Sequence, residues 1–218
     1  MSKLPPIESL RADYTQATLD EAGVLDDPIA QFEDWLAAAV SAAIHEPHAM
    51  SLATVDANGH PSARIVLLRR VDHEGFVFFT NYASAKGNDI AKNPHVALLF
   101  FWKELERQVR IRGTAAMITR QESEAYFHSR PRGSQLGALA SPQSQVVDSR
   151  EWLDARYEEL RARYEGQEVP LPETWGGYRV VPSTIEFWQG RSSRMHDRLV
   201  FQREDPAEGT WRRVRLAP

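Results

Sequence analysis

The chain has 218 residues, of which 42% are hydrophobic and 26% charged, and its net charge is −4. These values are typical of one globular domain with a sizeable core. The acidic balance argues against nonspecific nucleic-acid binding, and no apolar run is long enough for a membrane span or resembles a signal peptide. Without cysteine, disulfides, thiolate catalysis and cysteine-ligated metals are excluded, and a cytoplasmic location is expected.

Apolar periodicity and turn signals predict a strand-rich chain with helices between the strands. Asp27 and Pro28 suit the start of a helix, and Asn58-Gly59 suits the turn of a hairpin. Thr119 and Glu122 match a capping box, which begins another helix. The expected elements are a flexible polar arm over 1–27; helices over 28–44, 84–93, 119–129, 134–140 and 149–164; and strands over 50–55, 63–68, 76–80, 95–102, 106–117, 175–187 and within 199–216.

This order of elements lacks the strand-helix-strand alternation that is typical of a parallel sheet. Hairpin-linked strands come early, helices are inserted late, and two strands end the chain. We therefore predict a mainly β fold, an antiparallel barrel with helices around it. The predicted organisation is an N-terminal arm over 1–27, followed by a single domain over 28–218.

Common nucleotide motifs are absent, and the seven histidines have no metal-ligand spacing, so no metal site is predicted. Arg64 and Arg69 bracket an apolar strand and can direct guanidinium groups at an anion, although exposed charges at strand ends explain them equally well. Gln143 and Ser144, with Gln108, offer neutral groups that suit the edges of a heterocycle. Ordinary loop polarity explains these residues without a ligand.

Residues 126–135 end one helix and begin another. Backbone N–H groups at the new helix N-terminus, together with Tyr126, Arg130 and Ser134, would form a phosphate cradle. The alternative is a capped turn between helices, in which Ser134 is only an N-cap. The convergence of Tyr, Arg and Ser in one short stretch favours the cradle.

Residues 187–198 form a polar bend between two apolar strands, a place where folded proteins often carry their chemistry. Its arginines suit phosphate or carboxylate, and His196 belongs to the residue type that titrates near neutrality. The alternative is a charged hairpin in which Asp197 pairs with Arg194 or Arg198. A surplus of arginine remains after that pairing, which favours an anionic ligand.

Taken together, these segments resemble the pyridoxine/pyridoxamine 5′-phosphate oxidase family of FMN enzymes, over residues 10–218. The motifs that carry the resemblance are 64–68, 105–109, 126–135, 187–190, 194–198 and 215–218. It implies an antiparallel Greek-key split β-barrel that forms a homodimer with FMN at the interface. The implied reaction oxidises pyridoxine 5′-phosphate and pyridoxamine 5′-phosphate to pyridoxal 5′-phosphate, with O2 as the oxidant and hydrogen peroxide as a product.

The resemblance also implies a role for individual residues. FMN would be held by Arg64, Ile65, Val66, Leu67, Leu68, Arg69, Phe79, Thr80, Lys86, Gln108, Gln143, Ser144, Trp188 and Arg198. The substrate would lie against Arg11, Tyr14, Arg69, Tyr126, Arg130, Ser134, Arg194, Met195 and His196. Of these, Arg194 and His196 would be catalytic, because they face the pyridine ring and its reacting C4′ carbon.

Three positions depart from the pattern of the family. Arg69 stands where lysine is usual, Phe79 where tyrosine is usual, and Ala85 where an arginine usually precedes the FMN-binding Lys86. At Ala85 one charged hydrogen bond to the FMN phosphate would be missing, worth about 1.5–3 kcal/mol if nothing replaces it. We therefore expect this chain to bind FMN less tightly than family members that have arginine at this position.

Two other functions stay open at this point. One is a split-barrel flavin oxidase that acts on another ring, such as a phenazine precursor, which the phosphate cradle disfavours. The other is a noncatalytic protein that binds FMN or pyridoxal phosphate. The presence of both Arg194 and His196 disfavours it, because binding alone does not need a group at the reacting carbon.

Overall fold

The computed structural model describes Leu10, residues 13–203 and residues 210–218. Within these residues the α-helices are α1 Pro28–Ser41, α2 Ala85–Lys92, α3 Arg120–Ser129, α4 Arg132–Ala140 and α5 Arg150–Arg163. The strands are β1 Ala49–Val55, β2 Pro61–Leu67, β3 Arg70–Asp72, β4 Gly75–Asn81, β5 His95–Trp102, β6 Arg107–Met117, β7 Trp175–Gln189, β8 Asp197–Gln202 and β9 Arg212–Arg215.

The strands form a sheet in the order β2-β1-β5-β6-β7-β4-β3, and β8 pairs with both β7 and β9. The pairs β1–β2, β3–β4, β4–β7, β7–β8 and β8–β9 are all antiparallel. The prediction of a mainly β protein with antiparallel pairing is therefore confirmed.

The chain divides into two compact units: unit 1 is Met1–Pro47, Leu99–Ile111 and Ser183–Pro218, and unit 2 is His48–Leu98 and Arg112–Pro182.

Unit 2 is organised by local signals in the sequence. The β1–β2 hairpin turns at Gly59, whose φ of +86° is one that glycine adopts without strain. Ser84 caps α2, and Thr119 with Glu122 forms the predicted capping box of α3. The helices α3, α4 and α5 are joined by an apolar cluster of Phe127, Leu136, Ala140, Leu160, Val169 and Trp175.

Unit 1 is built around α1 and buried aromatic residues. Asp27 caps α1 by accepting a hydrogen bond from the Ile29 N–H. Phe32 in α1 is fully buried and lies 4.9 Å, ring centre to ring centre, from Phe100. Residues 13–27 contain no helix or strand, yet one of them, Leu19, has a buried side chain. The proposed division into an arm and one domain stays a prediction.

The start of α4 differs from the prediction. The helix begins at Arg132, and the Ser134 N–H already donates to the Pro131 carbonyl. The predicted start at Ser134 is therefore two residues too late, and the alternative in which Ser134 is the N-cap is wrong. Pro131 takes the N-cap position and provides no side-chain capping hydrogen bond. The short strand β3 was not predicted, because three residues are too few for a periodic pattern.

Candidate functional site

The first candidate site is a cavity of about 290 Å³ in unit 2. It lies beside β2, β4, α2 and α3, and all its lining residues except Trp175 were predicted to bind FMN or substrate. The lining residues are Ile65, Val66, Leu67, Arg69, Phe79, Thr80, Lys86, Tyr126, Arg130, Gln143 and Trp175. The fold thus brings together residues that are up to 110 positions apart, as the Ile65-to-Trp175 span shows.

In the described part of the chain, the Lys86 side chain donates hydrogen bonds to neutral groups only. Its Nζ donates to Gln143 Oε1 at 2.7 Å, to Thr80 Oγ1 at 3.2 Å and to Ser84 Oγ at 3.3 Å. Burial, and then the charge of Arg64, lower the pKa of Lys86. A partly desolvated ammonium beside another cation is stabilised by an anion, so this group fits a phosphate ligand such as that of FMN.

Arg64 is held in place by its neighbours on β1 and β2. Its Nη1 donates to the Leu52 carbonyl at 3.2 Å and to Thr54 Oγ1 at 2.7 Å, and its Nη2 donates to Ser62 Oγ at 2.8 Å. Asp89 lies 3.9 Å away and gives partial charge compensation. Burial lowers the pKa of Arg64. The guanidinium is therefore a fixed positive group, as anion binding requires.

Arg130 has a buried nitrogen that nothing in the described residues satisfies. Its Nη1 has no hydrogen-bond partner there, and its Cζ lies 4.7 Å from the centre of the Trp175 ring. Burial lowers the pKa of Arg130, and the charge of Arg69 adds to this effect. An unsatisfied buried donor is costly. Arg130 therefore marks the place where a bound anion would contribute most.

Aromatic rings form the wall beside this arginine. Phe79 stacks on Tyr126 with ring centres 3.9 Å apart and on Trp175 at 5.4 Å. Ser134 is exposed and lines a neighbouring cavity of about 290 Å³ that Arg130 also lines. Arg130 therefore lines both cavities, whereas Tyr126 lines the first and Ser134 the second.

The second candidate site lies in unit 1, where β7 and β8 meet at the bend. The Trp188 ring lies 4.6 Å from the His196 ring and 5.8 Å from the Tyr14 ring. Tyr14 fills the space in which a side chain on Gly190 would stand, because a Cβ there would come within 2.8 Å of its ring. Tyr14 thus covers the bend. Arg194 is exposed.

A buried carboxylate that the sequence analysis missed holds Arg198. Glu186 Oε1 accepts from Arg198 Nε at 2.8 Å, and Glu186 Oε2 accepts from Arg110 at 3.2 Å. Arg198 Nη1 also donates to the Ala217 carbonyl. The hydrogen bond that Arg198 donates to Glu186 raises the pKa of Arg198. The available signal was an acidic residue inside the apolar run Ile185, Glu186, Phe187, where an unpaired charge would be costly.

Asp197 has different partners from those expected. It accepts from Arg191 Nη1 and from Arg215 Nη1, each at 2.9 Å. The expected pairing with Arg194 or Arg198 is wrong, because β9 brings Arg215 beside β8 and Glu186 already holds Arg198. Arg191, for which the sequence indicated no role, therefore braces the bend.

The same carboxylate anchors the segment that carries Tyr14. The Leu19 N–H donates to Asp197 Oδ2 at 3.1 Å, and Arg215 forms two hydrogen bonds of 2.8 Å with Glu21. Burial alone would raise the pKa of Asp197, but hydrogen bonds from Leu19, Arg191 and Arg215 outweigh it and lower the pKa. Asp197 is therefore ionised at neutral pH and links the N-terminal segment to the bend.

The remaining predicted residues are more scattered. Gln108 is half-buried on β6, and Met195 is 68% exposed. Leu68 is buried and Ser144 is exposed, and neither lines the first cavity. Arg11 lies outside the described residues. Over the described ranges, no cluster of three or more His, Asp or Glu side chains suits a metal ion, and no helix is long and apolar enough to cross a membrane.

Comparison with known proteins places the chain in a family of oxidoreductases. The family model described as pyridoxamine 5′-phosphate oxidase matches residues 36–164. A second model, described as the pyridoxine 5′-phosphate oxidase C-terminal dimerisation region, matches residues 175–218. The chain belongs to the pyridoxamine 5′-phosphate oxidase family, and the resemblance inferred from its motifs is confirmed.

Individual relatives agree with this assignment. The pyridoxine/pyridoxamine 5′-phosphate oxidase of Burkholderia vietnamiensis is 56% identical over 97% of this chain and 99% of its own. The structure of PhzG from Burkholderia lata 383, in complex with tetrahydrophenazine-1-carboxylic acid, is 31% identical with a TM-score of 0.85 and covers 90% of this chain and 95% of its own. A pyridoxamine 5′-phosphate oxidase-related, FMN binding protein from Nostoc punctiforme shares the fold at 18% identity and a TM-score of 0.68, covering 86% and 97% of the two chains. The predicted split-barrel fold class is confirmed.

Proposed function

We propose that this protein is an FMN-dependent oxidase that converts pyridoxine 5′-phosphate and pyridoxamine 5′-phosphate to pyridoxal 5′-phosphate, with O2 as oxidant and hydrogen peroxide as product. The observation that carries the proposal is the unsatisfied Nη1 of Arg130. It belongs to a cavity lined also by Arg69 and Tyr126, and a phosphate ester supplies the acceptors and the charge that this group lacks. The 56% identity to a relative named for these two substrates supports it.

The residues present also fit FMN. Lys86 and Arg64 are partly buried cations in unit 2, and Trp188 and Arg198 lie opposite each other on β7 and β8 in unit 1. FMN, when bound, supplies a two-electron acceptor that O2 reoxidises with release of hydrogen peroxide. The match of residues 175–218 to a dimerisation region supports a homodimer with FMN at its interface. The lack of cysteine suits the cytoplasm.

Different side chains bind different parts of the substrate. Tyr126, Arg130, Ser134 and Arg69 bind the phosphate, which is remote from the reacting carbon and serves to position the ring. Arg194 stabilises the oxygen at ring position 3, and His196 hydrogen-bonds at the C4′ end. Tyr14 covers the ring and helps to position it. Oxidation of the alcohol gives the aldehyde directly, whereas oxidation of the amine gives an imine that water converts to the aldehyde and ammonia.

A second candidate is an oxidase for a phenazine precursor. The likeness to PhzG, solved with a tetrahydrophenazine carboxylic acid, favours it. That compound carries a carboxylate and no phosphate, and so does not use a phosphate cradle. A third candidate is a noncatalytic FMN-binding or pyridoxal phosphate-binding protein.

Oxygen consumption by the FMN-loaded protein separates these candidates. We expect turnover with pyridoxine 5′-phosphate and little with unphosphorylated pyridoxine. Turnover of tetrahydrophenazine-1-carboxylic acid alone would establish the second candidate, and FMN binding without any turnover would establish the third. Equal turnover of pyridoxine and its phosphate would show that the phosphate does not position the substrate.

A further inference from the structure

A hydrogen bond to His196 determines which nitrogen of its ring carries the proton. Its Nδ1 lies 3.1 Å from the backbone nitrogen of Arg191. A peptide N–H can only donate, so Nδ1 must accept and cannot carry a proton of its own. In a neutral imidazole the single proton then lies on Nε2.

The peptide that donates this bond is held on both sides. The preceding N–H, that of Gly190, donates to the Glu106 carbonyl at 2.7 Å. The side chain of Arg191 reaches Asp197, the residue next to His196, at 2.9 Å. The first bond fixes the donor peptide to Glu106, and the second joins the side chain of Arg191 to the residue that follows the ring.

The other ring nitrogen is unused by the protein. Nothing in the described part of the chain hydrogen-bonds to His196 Nε2, although the ring is half-buried and lies against Trp188 and Tyr14. A buried or half-buried N–H that the protein leaves unpaired is available to a ligand.

We infer that the Arg191 peptide holds His196 as the Nε2–H tautomer, so that His196 donates a hydrogen bond to the substrate and does not remove a proton from it. This inference rests on the proposed function, in which His196 meets the C4′ end of the substrate. The Nε2–H binds a lone pair on the C4′ oxygen or nitrogen. The hydroxyl proton released when pyridoxine 5′-phosphate is oxidised passes to water, because neither nitrogen of the ring has a free lone pair.

Nuclear magnetic resonance tests the tautomer directly. Long-range ¹H–¹⁵N correlation spectra of the FMN-loaded protein, without substrate and at mildly alkaline pH, distinguish a protonated from an unprotonated ring nitrogen. The signals of His196 are those lost in His196→Gln. We expect protonated Nε2 and unprotonated Nδ1, both in the wild type and in Arg191→Ala, which keeps the peptide N–H. A protonated Nδ1, or a mixture of the two tautomers, would overturn the inference.

Two matched variants test the donor role. The amide of His196→Gln places an N–H near the position of Nε2, whereas the shorter amide of His196→Asn does not reach it. We expect kcat/KM for pyridoxine 5′-phosphate to be about tenfold higher in the Gln variant than in the Asn variant, the value of one hydrogen bond. Equal, severe losses in both variants would indicate a base and contradict the inference. If the wild type oxidises neither phosphate ester, the proposed function fails, and the spectra still decide the tautomer.

Discussion

Glu186 illustrates how one buried residue can determine the behaviour of a binding group. Its side chain is 10% exposed and lies between Arg198 and Arg110. Removing one partner from such an arrangement leaves the other charge poorly compensated and free to move. In the proposed site Arg198 binds FMN, so Glu186 is a positioning residue for the cofactor.

We expect Glu186→Gln to weaken FMN binding about tenfold, because Arg198 loses its charge-assisted hydrogen bond. Quenching of FMN fluorescence gives the dissociation constant, and thermal unfolding shows whether the variant is folded. The matched control is Glu158→Gln, which removes an exposed pair with Arg161 on α5. Unchanged FMN affinity in a folded Glu186→Gln protein would show that Glu186 does not position Arg198.

Arg130 allows a test of the phosphate handle. We expect Arg130→Gln to raise KM for pyridoxine 5′-phosphate about tenfold or more, the value of a charged hydrogen bond, while the weak oxidation of pyridoxine stays the same. Steady-state kinetics with both compounds measures this difference. Arg150→Gln, which removes an exposed pair with Asp154, is the control. A similar loss with both compounds would mean that Arg130 stabilises the fold and does not recognise phosphate.

At the scale of elements, the start of α2 carries the cation that we assign to FMN. Ser84 caps this helix, Ala85 is its first residue and Lys86 its second. A helix N-terminus favours an anion through its free N–H groups and its dipole. Ala85 is exposed and adds no charge there.

We expect Ala85→Arg to tighten FMN binding about tenfold or more, because it adds a charged hydrogen bond to the phosphate. Equilibrium titration of the FMN-free protein measures the change. Ala91→Arg adds the same charge to the other end of α2 and is expected to have no effect. If the wild type already binds FMN as tightly as Ala85→Arg, the expected weakness of this chain is contradicted.

The α3 capping box predicts how stability depends on pH. Hydrogen bonds from Arg70 and then Thr119 lower the pKa of Glu122 to about 2, from 4.5. Because the folded-state pKa is depressed, this stabilisation is complete above pH 4.5 and is lost as the pH falls towards 2.

We therefore expect Glu122→Gln to lower Tm at neutral pH by roughly 2–4 °C, as for the loss of about 1 kcal/mol in a chain of this size. The difference from the wild type decreases as the pH falls below 4.5. Thermal unfolding across this pH range is the measurement. A difference that is constant with pH would exclude the ionised carboxylate as its cause.

The sequence was most informative where the signal is local. Asp27, Ser84 and Thr119 each cap the helix that was predicted to start beside them, since a cap involves only three or four consecutive residues. The partners of Asp197 and Glu186 could not be predicted in this way. They depend on β9 and β6 approaching β8 and β7, which are contacts between distant parts of the chain.

The same limit applies to the candidate site. The motifs identified most of the residues that line the cavity in unit 2, because the family resemblance supplies their roles. Trp175 was missed: it begins β7 and reads as an ordinary apolar strand residue, yet it lies against Arg130. The hydrogen bond from Arg191 to His196 was also missed, because it is made by a backbone group and leaves no trace in the side-chain sequence.

At the scale of the whole molecule, the proposed FMN residues include two from the C-terminal part of the chain. Trp188 and Arg198 lie within the stretch that matches a dimerisation region. If FMN is held at an interface between two copies of the chain, cofactor binding and dimerisation are linked by mass action.

We expect sedimentation velocity to show a homodimer that carries two FMN molecules. On dilution, we expect FMN to dissociate from the protein as the dimer dissociates to monomer, so that flavin absorbance no longer sediments with the protein. Added FMN should shift the equilibrium back to dimer. Arg156→Gln, on an exposed face of α5, is the control. FMN that stays bound to a sedimenting monomer would contradict an interface site.

The hydrogen bond from Arg191 to His196 has a consequence for how the protein tolerates mutation. A main-chain N–H is present whatever side chain stands at position 191, and proline alone lacks it. Almost every missense change there therefore keeps the bond that sets the ring's proton, although it removes the brace to Asp197. A histidine that is oriented by a carboxylate side chain would lose its orienting group through a single missense mutation. His196 is instead oriented by a backbone N–H, which every residue except proline has.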